Sequence, residues 1–347
     1  MKATLFHKHG GPEVLEYTEI EEPKVQPNSV IIDVKAVALN HLDLFVRNGI
    51  PGIELEMPHI LGSDISGVVK ETGEQVPSSI KEGQRVIVDP ALSCGSCHAC
   101  IRGEESLCPD FQIIGEHVRG GYAELFGIHH ENIIPIPDSV DLTFSEAAAV
   151  PLTFMTAWRL MITKARVKPG QKVLIIGIGG GVALAALQIS KVTGATVFVT
   201  SSSDAKLKKA ERMGADYGIN YIDKPDFHKE IWSKTNSRGV DVVFDSVGEA
   251  TWQKSLRSLK KGGRLVTCGA TSGQKAVTNV NLVFWNQLEI LGSTMASRSE
   301  LRDVLDLIWA GKLKPVIDRT LPLSKASEAH KILENGEQFG KIVLETP

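Results

Sequence analysis

A chain of 347 residues is long enough for two domains that each bury a core. Its composition, 42% hydrophobic and 23% charged, is that of an ordinary globular protein, and a net charge of −3 offers no basic footprint for nucleic acid. The opening MKATLFHKHGGPEVLEY has no apolar run of signal-peptide length and no later segment is long enough to span a bilayer, so a cytoplasmic protein without membrane or nucleic-acid partners is expected.

In chain order, VIIDVKAVAL (30–39) is β-branched and apolar on both faces, which predicts a buried strand. Further strands are expected at GVVKETG, QRVIVDP and YAELFGI, and no helical period dominates the first 150 residues. From about residue 143, TFSEAAAVPLTFMTAWRLMITKA predicts helix broken near Pro151, because proline removes a backbone donor and clashes with the preceding turn. Strand and helix then alternate: KVLIIG (172–177), VALAALQISKVTG, ATVFVT (195–200), DAKLKKAERMG, GVDVVFD (239–245), ATWQKSLRSL, GRLVTCG (263–269) and a last strand, EILGSTM (289–295). Such alternation predicts an α/β fold with a doubly wound parallel sheet covered on both faces. ELRDVLDLIWAG reads as a helix and GKIVLET as a short terminal strand.

KVLIIGIGGGVALAALQ is a strand, a glycine turn and a helix, the arrangement that lays a pyrophosphate on backbone N–H groups at a helix N-terminus. Gly177, Gly179, Gly180, Gly181 and Val182 are the expected contacts, although the register G-x-x-G-x-x-A, ending on Ala183, departs from the strict G-x-G-x-x-G. The second strand ends in TSSSDAK, where an NAD site ordinarily has a carboxylate. Ser201, Ser202 and Lys206 suit a 2′-phosphate, which favours NADP(H), with NAD(H) as the alternative. The plainer reading is that Ser203 or Asp204 caps the next helix and Lys206 is solvated. Gly269, Ala270 and Thr271 follow a strand end, where the nicotinamide pocket is expected.

CGSCHACIRGEESLC holds four of five cysteines at the spacing C-x2-C-x2-C-x7-C. Four thiolates close a tetrahedral zinc site and leave no position for water or substrate, so a metal here is structural. An iron–sulfur cluster or idle thiols are the alternatives. Cys268 reads as an inert core thiol.

With these pieces in place, the chain resembles the medium-chain dehydrogenase/reductase, or zinc-containing alcohol dehydrogenase, superfamily from GGPEVLE to FGKIVLE. The resemblance implies a GroES-like catalytic domain (1–151 and 298–347) with a zinc lobe at about 90–110, and a Rossmann domain (152–297). It assigns the structural zinc to Cys94, Cys97, Cys100 and Cys108, and implies a homodimer or homotetramer, with EILGSTM at the sheet edge that pairs. The family's catalytic zinc takes a Cys, a His and a second Cys. The matching segments LNHLDLF, LGSDISG and PLTFMTAW offer Asn40, Ser63 and Leu152, none of them a good ligand. A relocated site would have to use His41, Asp43, His59, Asp64 or His117. ALNHLDLFVR resembles the zinc-free quinone oxidoreductases, except that Phe45 stands where those enzymes often carry tyrosine.

Without a catalytic metal, hydride addition to an alkene conjugated to a carbonyl, or to a quinone, is better supported than alcohol oxidation, because the acceptor's own oxygen takes up the charge. The expectation is an NAD(P)H-dependent oxidoreductase acting on a small carbonyl, enone or quinone. Alcohol dehydrogenase activity and a non-catalytic nucleotide-binding protein are the alternatives. Asn40 is the candidate for holding the carbonyl and Thr156 for the nicotinamide. Asp43, Ser63 and His117 are further polar candidates, each also readable as an ordinary satisfied side chain.

Overall fold

The computed structural model describes residues 1–347, which form two compact units. The first comprises Met1–Leu152, Ser297–Trp309 and Lys314–Pro347; the second Thr153–Ala296 and Ala310–Leu313.

The first unit is organised by the strand Ser29–Ala38, ten residues of SVIIDVKAVA buried along nearly their whole length. It pairs antiparallel with Asp64–Thr72, with Leu125–His129 along its first half, and with Lys341–Glu345 at its far end. Arg85–Val88, Ile133–Pro135 and Ile317–Pro322 complete a seven-stranded sheet. Ile32, Val34, Ile65, Val86, Leu61 and Phe6 form its core. The register decides where chemistry gathers: Ala38 lies opposite both Asp64 and Val343, so Asn40, Asp64 and Lys341 meet at one end of the sheet.

The sequence pattern of this unit concealed a helix, His41–Asn48. It starts because the Asp43 carboxylate reaches back to the Asn40 N–H at 2.7 Å, half of a capping box. The proline break is where the sequence places it: helix Phe144–Ala148 stops and Pro151 opens the next, Pro151–Trp158.

The second unit is a six-stranded parallel sheet of Lys172–Ile175, Thr196–Ser201, Tyr217–Asn220, Val240–Phe244, Leu259–Thr267 and Glu289–Gly292. Counted along the chain their spatial order is 3-2-1-4-5-6, the doubly wound order whose switch point lies between the first and fourth strands. Tyr217–Asn220 is the strand the sequence did not announce, since YGIN is too short to show a period.

Candidate active site and zinc lobe

Three residues far apart in sequence form one buried cluster in the first unit. Lys341 Nζ donates to Asn40 Oδ1 at 2.6 Å and to Asp64 Oδ2 at 2.9 Å. Asn40 Nδ2 donates to the same Asp64 oxygen at 2.9 Å, and the Leu152 N–H to Asp64 Oδ1 at 2.8 Å. Lys341 is 4% exposed and Asp64 fully buried, so the pair is shielded from water. Of the three positions that the resemblance sets against the family's zinc ligands, Asn40 and Leu152 are thus bonded to Asp64 and Ser63 precedes it in the chain. The Asn40 amide is already engaged: its oxygen is held by Lys341 and its nitrogen by Asp64 and, at 3.5 Å, the Ala38 carbonyl. Ser63 is also fully buried, and its Oγ has no hydrogen-bond partner.

Asp43 anchors the loop before Ser63. Its second oxygen accepts the Gly62 N–H at 3.0 Å. Gly62 has φ +99°, and a Cβ there would lie 2.5 Å from the Tyr122 ring, so glycine is required. Burial raises the Asp43 carboxyl to about 6, against the opposing effects of the two backbone N–H groups and the Lys341 charge. Behind it runs a buried polar chain. Tyr122 Oη lies 3.3 Å from His330 Nε2, and Arg47 Nη1 lies 2.9 Å from His330 Nδ1. Because arginine only donates, Nδ1 accepts and Nε2 carries the proton. Arg47 in turn pairs with Glu334. Burial, assisted by the Arg47 charge, lowers His330 to about 3, so it is neutral.

His41, His59 and His117 lie outside that chain. His41 is held below its ordinary value by burial and then by Lys341. His59 Nε2 meets the Gly115 carbonyl at 3.1 Å, and His117 Nδ1 accepts the Ile113 N–H at 3.1 Å. Burial lowers His117, which remains neutral at pH 7, and raises its neighbour Glu116 to about 7, a group the sequence reading did not single out. In the second unit, Thr156 is buried and its hydroxyl points to Met295 Sδ at 3.9 Å.

In the lobe, the sulfurs of Cys94, Cys97, Cys100 and Cys108 all lie within 4.8 Å of one another. The neighbouring pairs Cys97–Cys100 and Cys94–Cys108 are 3.5 Å apart and Cys94–Cys100 4.0 Å. Zinc–sulfur bonds of about 2.3 Å at tetrahedral angles place sulfurs about 3.8 Å apart, so the four fit a structural zinc. The backbone N–H groups of Ser96 and Cys97, the latter 3.3 Å from Cys94 Sγ, bring the Cys94 thiol down to about 6, while its bonded neighbour Cys108 keeps the pair's proton and is pushed up to about 11. Cys268 stands apart, its thiol pushed up to about 12 by burial.

The glycine turn fits a dinucleotide. Gly177 takes φ +73° and Gly179 φ +139°, and the helix Gly181–Val192 begins after Gly180 without a side-chain cap. A Cβ on Gly180 would meet nothing within 4 Å, so the backbone there is open to a phosphate. Thr200 is structural: its Oγ1 accepts the Gly177 N–H at 3.1 Å. Ser203 caps the helix Asp204–Arg212, Ser201 Oγ accepts the Ser203 N–H, and Asp204 is tied to Asn220 Nδ2 at 2.8 Å. Ser202 is exposed and Lys206 half-buried on the first turn of that helix. Gly269, Ala270 and Thr271 follow the fifth strand, with the Thr271 N–H on the Ser246 carbonyl at 3.3 Å.

The first unit carries a four-cysteine lobe, and the second has the 3-2-1-4-5-6 strand order of dinucleotide-binding sheets. Residues 26–138 match the alcohol dehydrogenase GroES-like domain and residues 181–310 the zinc-binding dehydrogenase family. The chain belongs to the zinc-type alcohol dehydrogenase family and is an NAD(P)-dependent oxidoreductase. It is 33% identical to the NAD-dependent alcohol dehydrogenase of Sulfolobus acidocaldarius over 99% of both chains. It is 29% identical to the acryloyl-coenzyme A reductase of Metallosphaera sedula over 100% of both. A solved NAD-dependent alcohol dehydrogenase superposes with TM-score 0.96 at 44% identity, covering 100% of each chain.

Proposed function

We propose that the protein reduces an α,β-unsaturated carbonyl compound, an enone, enoyl thioester or quinone, with NADPH and without a catalytic metal. The observation that carries this reading is Lys341. Its ammonium lies among the residues matched to the family's zinc ligands, 2.6 Å from Asn40 Oδ1 and 2.9 Å from Asp64 Oδ2. A divalent ion about 4 Å from that ammonium would meet about 8 kcal/mol of repulsion at an effective dielectric of about 20. Asn40, Ser63 and Leu152 offer no thiolate or imidazole to offset it. Bound nicotinamide supplies the hydride; the protein has to orient the acceptor and hold the charge that reaches its oxygen. The acryloyl-coenzyme A reductase relative acts, by its name, on such an unsaturated thioester.

NADPH is favoured over NADH because no free carboxylate ends the second strand, while Ser202 and Lys206 stand there for a 2′-phosphate. A homo-oligomer is supported by the exposed Val280, Phe284 and Trp285, on the helix next to the sheet-edge strand Glu289–Gly292. Light scattering should give a dimer or tetramer, and Trp285→Glu a smaller species. A cytoplasmic setting is supported by five free cysteines, four of them arranged for zinc.

The second reading, alcohol dehydrogenase activity, is favoured by the names of the NAD-dependent relatives. The two separate in a steady-state panel of enones, enoyl thioesters and quinones with NADPH against alcohols with NAD+ and NADP+. We expect kcat/KM on an unsaturated carbonyl to exceed that on any alcohol by about 100-fold, the size of one charge-stabilising donor. A chelator-sensitive alcohol oxidation that outruns every enone would reverse the assignment.

A further inference from the structure

We propose that Lys341 and Ser63 form an oxyanion site for the carbonyl oxygen of the acceptor, with Asn40 and Asp64 as the positioning residues that aim it; this rests on the reductase reading above. An ammonium has three N–H donors. Two of those on Lys341 are fixed by Asn40 Oδ1 at 2.6 Å and Asp64 Oδ2 at 2.9 Å, and the third takes no acceptor in the protein. Two short bonds to buried acceptors leave a long, flexible side chain little freedom, so the remaining donor has a set direction. The Ser63 hydroxyl is the second observation. It is fully buried and lacks any partner, whereas a buried hydroxyl ordinarily finds one. Its backbone is held between Gly62, whose N–H is tied to Asp43, and Asp64, which opens the strand to the lysine's neighbour. An ammonium with a donor to spare and an orphan hydroxyl next to its counter-ion are what a developing oxyanion requires, provided they are in place before the reaction.

The step balances without a metal. Bound NADPH would supply the hydride, with its two electrons, to the β-carbon and would be left as NADP+. The alkene π pair moves towards the carbonyl carbon, and the carbonyl pair goes to oxygen as an enolate held by Lys341 and Ser63. The α-carbon then takes a proton from water, so that NADPH, a proton and the enone give NADP+ and the saturated carbonyl compound.

A phenolate mimics the enolate oxygen and reports its own ionisation by colour, so p-nitrophenol can be titrated into wild type, Lys341→Met, Lys341→Arg and Ser63→Ala in the presence of NADP+. Wild type should bind the ionised form. Lys341→Met should weaken that binding by about 100-fold, Ser63→Ala by about tenfold, and Lys341→Arg by less than Lys341→Met. NADPH affinity, followed by nicotinamide fluorescence, should stay within about twofold in all three. Ser63→Ala removes an orphan hydroxyl and should melt no lower than wild type, so its loss of binding cannot be misfolding. The site is overturned if Lys341→Met and Ser63→Ala bind phenolate like wild type, or if Lys341→Met loses NADPH rather than phenolate. The two proposals can fail separately. Lysine-dependent phenolate binding in an enzyme that reduces no enone would sink the reductase reading alone. Enone reduction undiminished in Lys341→Met would sink the oxyanion site alone.

Discussion

The first unit contains two clusters of polar groups that suit a cation, and they suit different cations: the lobe fits a zinc ion, and the cluster at the sheet end surrounds a lysine. The lobe brings four sulfurs within 4.8 Å of one another and leaves the charge to a metal. The cluster at the sheet end brings a carboxylate and an amide oxygen to 2.9 and 2.6 Å from a lysine nitrogen and leaves the charge to the protein itself. The chemistry of the donors decides between them. Thiolates bind zinc far better than they solvate an ammonium, whereas one carboxylate and an amide suit three N–H donors. A metal closed in by four protein ligands cannot meet a substrate, but a lysine tied at two of its three donors can.

The sharpest way to break the comparison is to count metal. Extensively dialysed protein should hold one zinc per chain, lost in Cys97→Ser and kept in Asn40→Ala. Because structural zinc contributes about 10–16 kcal/mol in small domains, its removal should unfold the lobe and give the largest drop in melting temperature of any change named here. Two zincs per chain would mean that the lysine does not keep the second site closed.

Next in size is the buried pair. Lys341→Met leaves Asp64 charged and unpaired and should cost about 3–5 kcal/mol in denaturant unfolding. Lys341→Met combined with Asp64→Asn should recover a large part of it. A double mutant as unstable as the sum of the singles would show that the two residues do not act as a pair.

The polar chain behind the cluster makes a pH prediction. His330, neutral in the fold and lowered to about 3, takes up a proton on unfolding anywhere between its folded and unfolded values. The unfolded state therefore binds more protons in that window. Stability is intact above about pH 6.5 and falls by up to about 1.4 kcal/mol per pH unit as pH drops towards 3. His330→Gln should lose one proton's worth of that slope. An unchanged slope would remove His330 from the acid response.

The smallest effect concerns a charge brought from outside. Ser202→Glu, at the end of the second strand, should shift the ratio of kcat/KM for NADPH over NADH by about tenfold towards NADH through repulsion of the 2′-phosphate. Equal use of the two cofactors before and after would place the discriminating groups elsewhere.

Much of this was legible from local pattern. The alternation after residue 170 marks a parallel sheet, and proline punctuation marks the helix break at Pro151. The spacing of Cys94, Cys97, Cys100 and Cys108 marks the lobe, because those ligands are close in sequence and their geometry follows from a short loop. Asn40, Ser63 and Leu152 show by identity alone that they are poor zinc ligands. What no local pattern contained was Lys341. It heads KIVLE, where a lysine before an apolar run reads as an exposed strand end, and it is separated by 277 residues from Asp64 and 301 from Asn40. Only the pairing of Ala38 with both Val343 and Asp64 brings the three together. The orphan hydroxyl of Ser63 and the neutral His330 are likewise products of burial, which composition does not encode position by position. Sequence determined that Asn40, Ser63 and Leu152 are poor metal ligands; the sheet register decided that a lysine is buried against Asn40 and Asp64, because burying a charge requires partners that only the closed fold supplies.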